Sequence, residues 1–240
     1  MSLQTGPDVG PDSESAAAAD RSRWRLRDAI GSYLGFVSLS LAGSYVGVAL
    51  LGGDRTLVAI GSLLLGWVAL AGVPLLVARR RGGSVRRDLH LAVHWVDLGI
   101  GVLAALCVLT AGLVYVAVLF ALGLPISTAA VADVAGGASG PLLVVLAVLI
   151  AVGAPVVEEL HFRGLWWQAL RARGLGPWLT VGVTAAVFAL AHAEWARLPV
   201  LLAAGVAMGA VRLLTGRLGA SIVCHVVING LGAVALLAAA

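Results

Sequence analysis

The chain has 240 residues, 60% of them hydrophobic and 12% charged, with a formal net charge of +4 and a mean hydropathy of +1.02. Soluble domains carry about 25% charged residues, so this composition excludes a water-soluble globular domain and sets an all-α, polytopic membrane bundle of one domain's length. All 16 basic residues are arginine; they fall in short stretches between apolar runs, so they read as membrane topology and not as a nucleic-acid surface.

Residues 1–20 are rich in Ser, Asp, Pro, Gly and Ala without an apolar run, which predicts a disordered tail. They lack the basic start and apolar core of a signal peptide. The basic group Arg21, Arg23, Arg25 and Arg27 closes this tail, and the membrane domain is expected over 28–240. Crossing a bilayer takes about 20 apolar residues. The charge-free runs 29–53 and 56–78 predict the first two spans. Ser84–Trp95 reads as an interfacial helix with His90 and His94 on one face. A third span is expected at 98–122, stopped by Gly123-Leu124-Pro125. A Gly-rich loop leads into a fourth helix from about 141, which continues through Glu158 and Glu159 to Arg171. After the turn at Gly174, Gly176 and Pro177, spans are expected at 178–192, 198–214 and 219–238, about seven in all.

Arginine counting orients the chain. With the N-terminus inside, 13 arginines fall in inner segments, Arg55 and Arg197 lie outside, and Arg163 lies within a helix. This predicts a multi-pass cell-membrane protein with its N-terminus cytoplasmic and its C-terminus extracytoplasmic. Trp166, Trp167 and Trp178 are expected to form an aromatic belt at the inner ends of helices four and five. Cys107 and Cys224 lie in apolar runs, which predicts no structural disulfide.

The chemistry concentrates in Pro155–Gly164, where Glu158, Glu159, His161 and Arg163 interrupt an apolar helix. Ionisable groups at membrane depth cost about 2.5–3.5 kcal/mol each on insertion scales, so a chain that keeps them there has a use for some of them. Glu158 and His192 stand at similar offsets from the turn at Gly174, about 25 Å from the hairpin tip at 1.5 Å per residue. His225 and Asn229 share one face of the last helix, and Glu159 and Arg163 are spaced for an intrahelical ion pair. Three helices can therefore present Glu158, Glu159, His192, His225 and Asn229 to one inward-facing cavity.

Glu158-Glu159-x-x-x-Arg163, Phe188-x-x-x-His192 and His225-x-x-x-Asn229, in this order and one per helix, resemble the CPBP intramembrane proteases: the type II CAAX prenyl endopeptidases and their bacterial, Abi-like relatives. The resemblance covers about 141–232 and leaves the first three spans without a motif. It implies an endopeptidase acting near the cytoplasmic membrane face on a peptide or on a lipidated, prenylated protein. By resemblance, Glu158 with His192 activates water, Glu159 and Arg163 orient and balance charge, and His225 with Asn229 faces the oxyanion. No cofactor is expected. His161 stands where the family is usually apolar, a titratable group able to alter protonation near the site.

Other readings stand beside this one. Glu159–Arg163 alone is a structural ion pair, His192 and Asn229 alone are interhelical hydrogen bonds, and Phe188 is packing or pocket wall. Glu158, His192 and His225 also make a zinc ligand set, although no His-Glu-x-x-His motif is present. Gly137-Ala138-Ser139-Gly140 matches a rhomboid-like serine motif, which the expected topology places at the outer end of its helix. A transporter or bacteriocin-immunity-type protein would use the Glu/His groups as a proton relay.

Overall fold

The computed structural model describes residues 23–50, 54–82, 84–126 and 140–238, with helices and no strand among them. The helices are α1 (Leu26–Leu50), α2 (Arg55–Val77, extended by a π-helical turn Ala78–Gly82), α3 (Val85–Asp88), α4 (Trp95–Ala121), α5 (Gly140–Arg171), α6 (Pro177–Ala191), α7 (Leu198–Thr215) and α8 (Gly219–Ala238). Local chemistry sets the ends. The Asp54 carboxylate accepts the Thr56 and Leu57 N–H groups at the start of α2, satisfying donors that have no partner within a helix. Pro177 occupies the first turn of α6, where its missing N–H costs nothing. α4 stops at Leu122 with Gly123 at φ 65, a left-handed conformation that glycine adopts without penalty.

α1 pairs with α2. α8 packs against α4, α5 and α7, and α6 packs on α7. Glycines allow two of these approaches. A Cβ on Gly101 of α4 would come within 2.6 Å of Val223 of α8, and one on Gly205 of α7 within 2.9 Å of the Ala185 backbone of α6. Small residues at such positions let helix backbones meet closely where lipid supplies no hydrophobic drive. Phe162, Phe188, Met208 and Cys224 form one buried cluster; Trp24, Leu89, Leu160, Leu165 and Leu218 form another, at the arginine-rich end.

The helical bundle is the expected one, with six candidate spans and a shorter apolar helix among the described residues. The shorter helix, α6, has only 15 residues, about 22 Å at 1.5 Å per residue. That is short of a hydrocarbon core of about 30 Å. Three further readings are corrected. The interfacial helix expected at 84–95 shrinks to Val85–Asp88, because His90 takes φ 52 and 91–94 are not helical. His90 and His94 therefore share no helix face. The tail ends before residue 27, because Trp24 is buried and Arg23 pairs with Asp88 at 3.2 Å. Trp178 is exposed, as a belt residue should be, but Trp167 is buried beneath Arg212 and Trp166 donates inside the bundle. Both cysteines are free, Cys107 exposed and Cys224 buried. Ser139 and its neighbours Gly137 and Ala138 lie outside the described residues.

Candidate active site

Glu158 and Glu159 lie on α5 between two π-helical turns, Leu149–Gly153 and Leu160–Trp166. Such turns insert a residue into the helical repeat, re-aim the side chains around them and recur at functional sites. Consecutive helical residues point about 100° apart, so the two carboxylates face different surroundings. Glu159 is fully buried, whereas the Glu158 side chain is 19% exposed.

Glu159 is held by cations. Arg163, one helical turn on and itself fully buried, donates from Nη1 to Glu159 Oε1 at 2.8 Å and from Nη2 to the Gly205 carbonyl at 2.9 Å. Its guanidinium lies 4.8 Å from the centre of the Phe188 ring, a cation–π distance. His225 Nδ1 stands 3.1 Å from the same Glu159 oxygen. An ionised carboxylate only accepts, so Nδ1 carries the proton there.

Nε2 of His225 then faces the other carboxylate, 3.8 Å from Glu158 Oε2. His192, just past the end of α6, approaches the same carboxylate oxygen. Its backbone N–H turns to Leu190, and its Nδ1 donates to the Phe188 carbonyl at 2.8 Å. A carbonyl cannot donate, so this contact fixes the proton on Nδ1 and aims Nε2 at Glu158 Oε2, 3.9 Å away. Phe188 thus serves the site twice. Its carbonyl sets the His192 tautomer, and its ring packs against His192, His225, Phe162 and Arg163. α6 is short because it ends at the depth of Glu158, where its last turn delivers His192.

Glu158 Oε2 is buried and has no hydrogen-bond partner among the described residues. Both imidazole nitrogens are too far for a direct bond to it, and such separations suit a small polar molecule between the groups. No group of three His, Cys, Asp or Glu among the described residues is arranged to hold a metal ion; the zinc alternative rests on the approach of two imidazoles to Glu158 alone.

Asn229 bonds the backbone of α5. Its Nδ2 donates to the Ile150 carbonyl at 3.1 Å. That carbonyl lacks a helical partner for a sequence reason. The Ala154 N–H bonds Leu149 in the π turn, and the next residue, Pro155, has no N–H to give. Asn229 thus satisfies an acceptor on α5, eight residues before Glu158.

His161 does not join the carboxylates. Trp166 Nε1 donates to His161 Nε2 at 3.0 Å, and His161 Nδ1 lies 3.1 Å from Ser32 Oγ, which donates to the Ala69 carbonyl. The indole N–H only donates, so Nε2 accepts, Nδ1 carries the proton, and the ring is neutral. The five-residue spacing of His161 and Trp166 matches their π-helical turn. Ser32 and Tyr33, neither evident from motif or charge, bring α1 into the site's support: Tyr33 donates to the Ala191 carbonyl at 2.9 Å, beside His192. Both lie within the charge-free run of the first span, where a lone hydroxyl gives no signal.

Residues 140–231 match the family model described as type II CAAX prenyl endopeptidase, Rce1-like, the family that the three motifs resemble. The match covers less than half of the chain, includes every residue of the cluster from Glu158 to Asn229 and leaves α1–α4 outside. For this stretch it implies a protease of the membrane. No curated protein and no solved structure matches the chain.

Proposed function

We propose that the chain is a glutamate-dependent intramembrane endopeptidase that hydrolyses a peptide bond without a covalent intermediate. The observation that carries this reading is the convergence of His192 Nε2 and His225 Nε2 on the unpartnered Glu158 Oε2. Peptide hydrolysis needs a base for water, charge stabilisation at the carbonyl oxygen and a proton for the leaving amine. Glu158 takes the proton of a water held between its carboxylate and His192, and the resulting hydroxide attacks the scissile carbonyl. The developing oxyanion is stabilised by His225 in its doubly protonated form, with Nε2–H facing the oxyanion and Nδ1–H compensated by Glu159. The proton on Glu158 then passes to the leaving amine. Glu159 and Arg163 act through His225 and are positioning residues. Asn229, one helical turn beyond His225 on α8, adds its second amide hydrogen to the donor set.

The topology that fits this reading is N-terminus inside and C-terminus outside, because the arginine-rich segments then lie in the cytoplasm. His225 sits six residues into α8, about 9 Å from its start at Gly219, which supports a site near the cytoplasmic face in this topology. Substrates are peptides or lipidated proteins presented at the membrane, a prenylated C-terminus among them.

The test is cleavage of a peptide library, with and without a prenyl group, by purified protein in detergent. Glu158→Gln keeps shape and removes the base, so turnover is expected to fall about 10²–10⁴-fold with unchanged folding; retained turnover refutes the role of Glu158. A strong chelator is expected to leave wild-type activity intact. Activity lost to the chelator and restored by zinc, at one metal per chain, would assign Glu158, His192 and His225 to a zinc site instead. Absence of cleavage together with proton-coupled flux in liposomes would favour the proton-relay alternative.

A further inference from the structure

A second polar cluster lies at the arginine-rich end of the molecule, outside the catalytic proposal. A pocket of about 370 Å³ is lined by Ser84, Arg86, Arg87, His90, Ala92 and Arg217. Its walls are braced. The Asp88 carboxylate accepts the Ser84 N–H at 2.9 Å, and Gln168 of α5 donates to the Asp88 carbonyl at 2.8 Å. The left-handed turn at His90 directs its carbonyl to the Leu218 N–H at 3.0 Å, joining the loop to the start of α8. Arg217 donates from Nε to Asp97 Oδ2 at 2.9 Å, which fixes the pocket's far wall.

Behind this wall stands Arg212 of α7. It is 4% exposed, its guanidinium lies 5.3 Å from the Trp167 ring centre, and its Nε has no hydrogen-bond partner among the described residues. No carboxylate pairs with it among those residues. Burial first, and then the nearby charge of Arg212, hold the His90 imidazole below its ordinary pKa, with Asp88 opposing them; the buried cation therefore acts on the pocket lining. Three arginines, Arg86, Arg87 and Arg217, line the pocket, and Arg212 lies behind them. Both aspartates are already engaged, Asp88 by Arg23 and, at 3.6 Å, by Arg87, and Asp97 by Arg217. The cluster lies where α2 and α7 end and α4 and α8 begin, at the ends of apolar helices.

We propose that this pocket binds a phosphate group, and that the headgroup of an anionic phospholipid supplies it. Guanidinium forks match phosphate oxygens. A basic pocket at the ends of membrane helices selects anionic over zwitterionic headgroups, whose own cation shields the phosphate. The Arg86, Arg87 and Arg217 side chains that line the pocket supply that basic charge.

The experiment uses the full chain in a neutral detergent, with thermal unfolding followed by tryptophan fluorescence. Dihexanoyl phosphatidylglycerol is expected to raise the midpoint saturably, as a ligand of the folded state does. Dihexanoyl phosphatidylcholine and inorganic phosphate at the same concentrations are expected to leave it unchanged. Native mass spectrometry should show one phosphatidylglycerol per chain. Arg86→Gln/Arg87→Gln should weaken the titration at least about tenfold, from the loss of charge-assisted contacts. Arg86 is exposed and makes no ion pair among the described residues, so Arg86→Gln alone keeps the fold and should weaken the response in the same direction. An equal rise with phosphatidylcholine, or an undiminished response in Arg86→Gln, overturns the site. An equal rise with inorganic phosphate overturns the lipid as its source.

Discussion

Removing one partner of the buried Glu159–Arg163 pair is the most direct test of how the site is held. Both side chains are fully buried and 2.8 Å apart. Their mutual attraction offsets a desolvation cost of several kcal/mol per ion. Arg163→Met keeps much of the volume but leaves Glu159 as a buried charge without its bonded cation, with His225 the nearest remaining partner. The Gly205 carbonyl also loses its donor and Phe188 its cation. Breaking a buried pair from one side costs about 3–5 kcal/mol, a large part of a total stability of about 5–15 kcal/mol. Removing both charges, in Glu159→Gln/Arg163→Met, should recover most of that loss, because a neutral amide needs no counter-ion. The cycle is then strongly non-additive, with a coupling of about 2 kcal/mol or more. Unfolding in mixed micelles, read by helicity, measures stability, and peptide cleavage is followed on the same samples. If Glu159 also positions His225 through its charge, the double variant regains stability but not turnover. A loss below about 1 kcal/mol in Arg163→Met, or additive behaviour in the cycle, refutes the reasoning.

Asn229→Ala should lower stability by about 1–3 kcal/mol, the cost of leaving the Ile150 carbonyl without a donor, and should also lower turnover without rescue by added metal; unchanged stability would show that the contact to α5 is incidental. His161→Phe should cost a similar amount, because Trp166 and Ser32 lose their partner, while the pH–rate profile stays the same. A shifted profile would return His161 to the catalytic protonation scheme. Reporter fusions at Gly83 and Ala238 should place the first inside and the second outside, and a cytoplasmic C-terminus would overturn the proposed topology.

The helices, their order and most of their ends were legible in the sequence because crossing a bilayer is a one-dimensional problem. Length and apolarity determine a span, and charges mark its limits. α5, α7 and α8 lie within a residue or two of the runs read from charge and glycine alone. The Glu159–Arg163 pair was legible for the same reason, since helical spacing brings i and i+4 together wherever the helix goes. The meeting of Glu158 with His192 and His225 could only be approximated, through depth along a hairpin, and the tertiary packing decided it.

Orientation about each helix axis was not legible. Two π-helical turns shift the faces of α5 in a way that no apolar pattern records, and they separate His161 from the carboxylates two and three residues before it. The bond from Asn229 to Ile150 depends on a proline on one helix and an amide on another. The bounds of α6, Pro177–Ala191, lie within one residue of the run 178–192, but where His192 points once that helix ends is set by packing against α5 and α8. Ser32 and Tyr33 lie in a helix without a motif, and only packing against α5 and α6 gives their hydroxyls a role. Composition and periodicity act along the chain and set which segments enter the membrane; hydrogen bonds between helices act across it, so the donors and acceptors of the site are paired only once the bundle has closed.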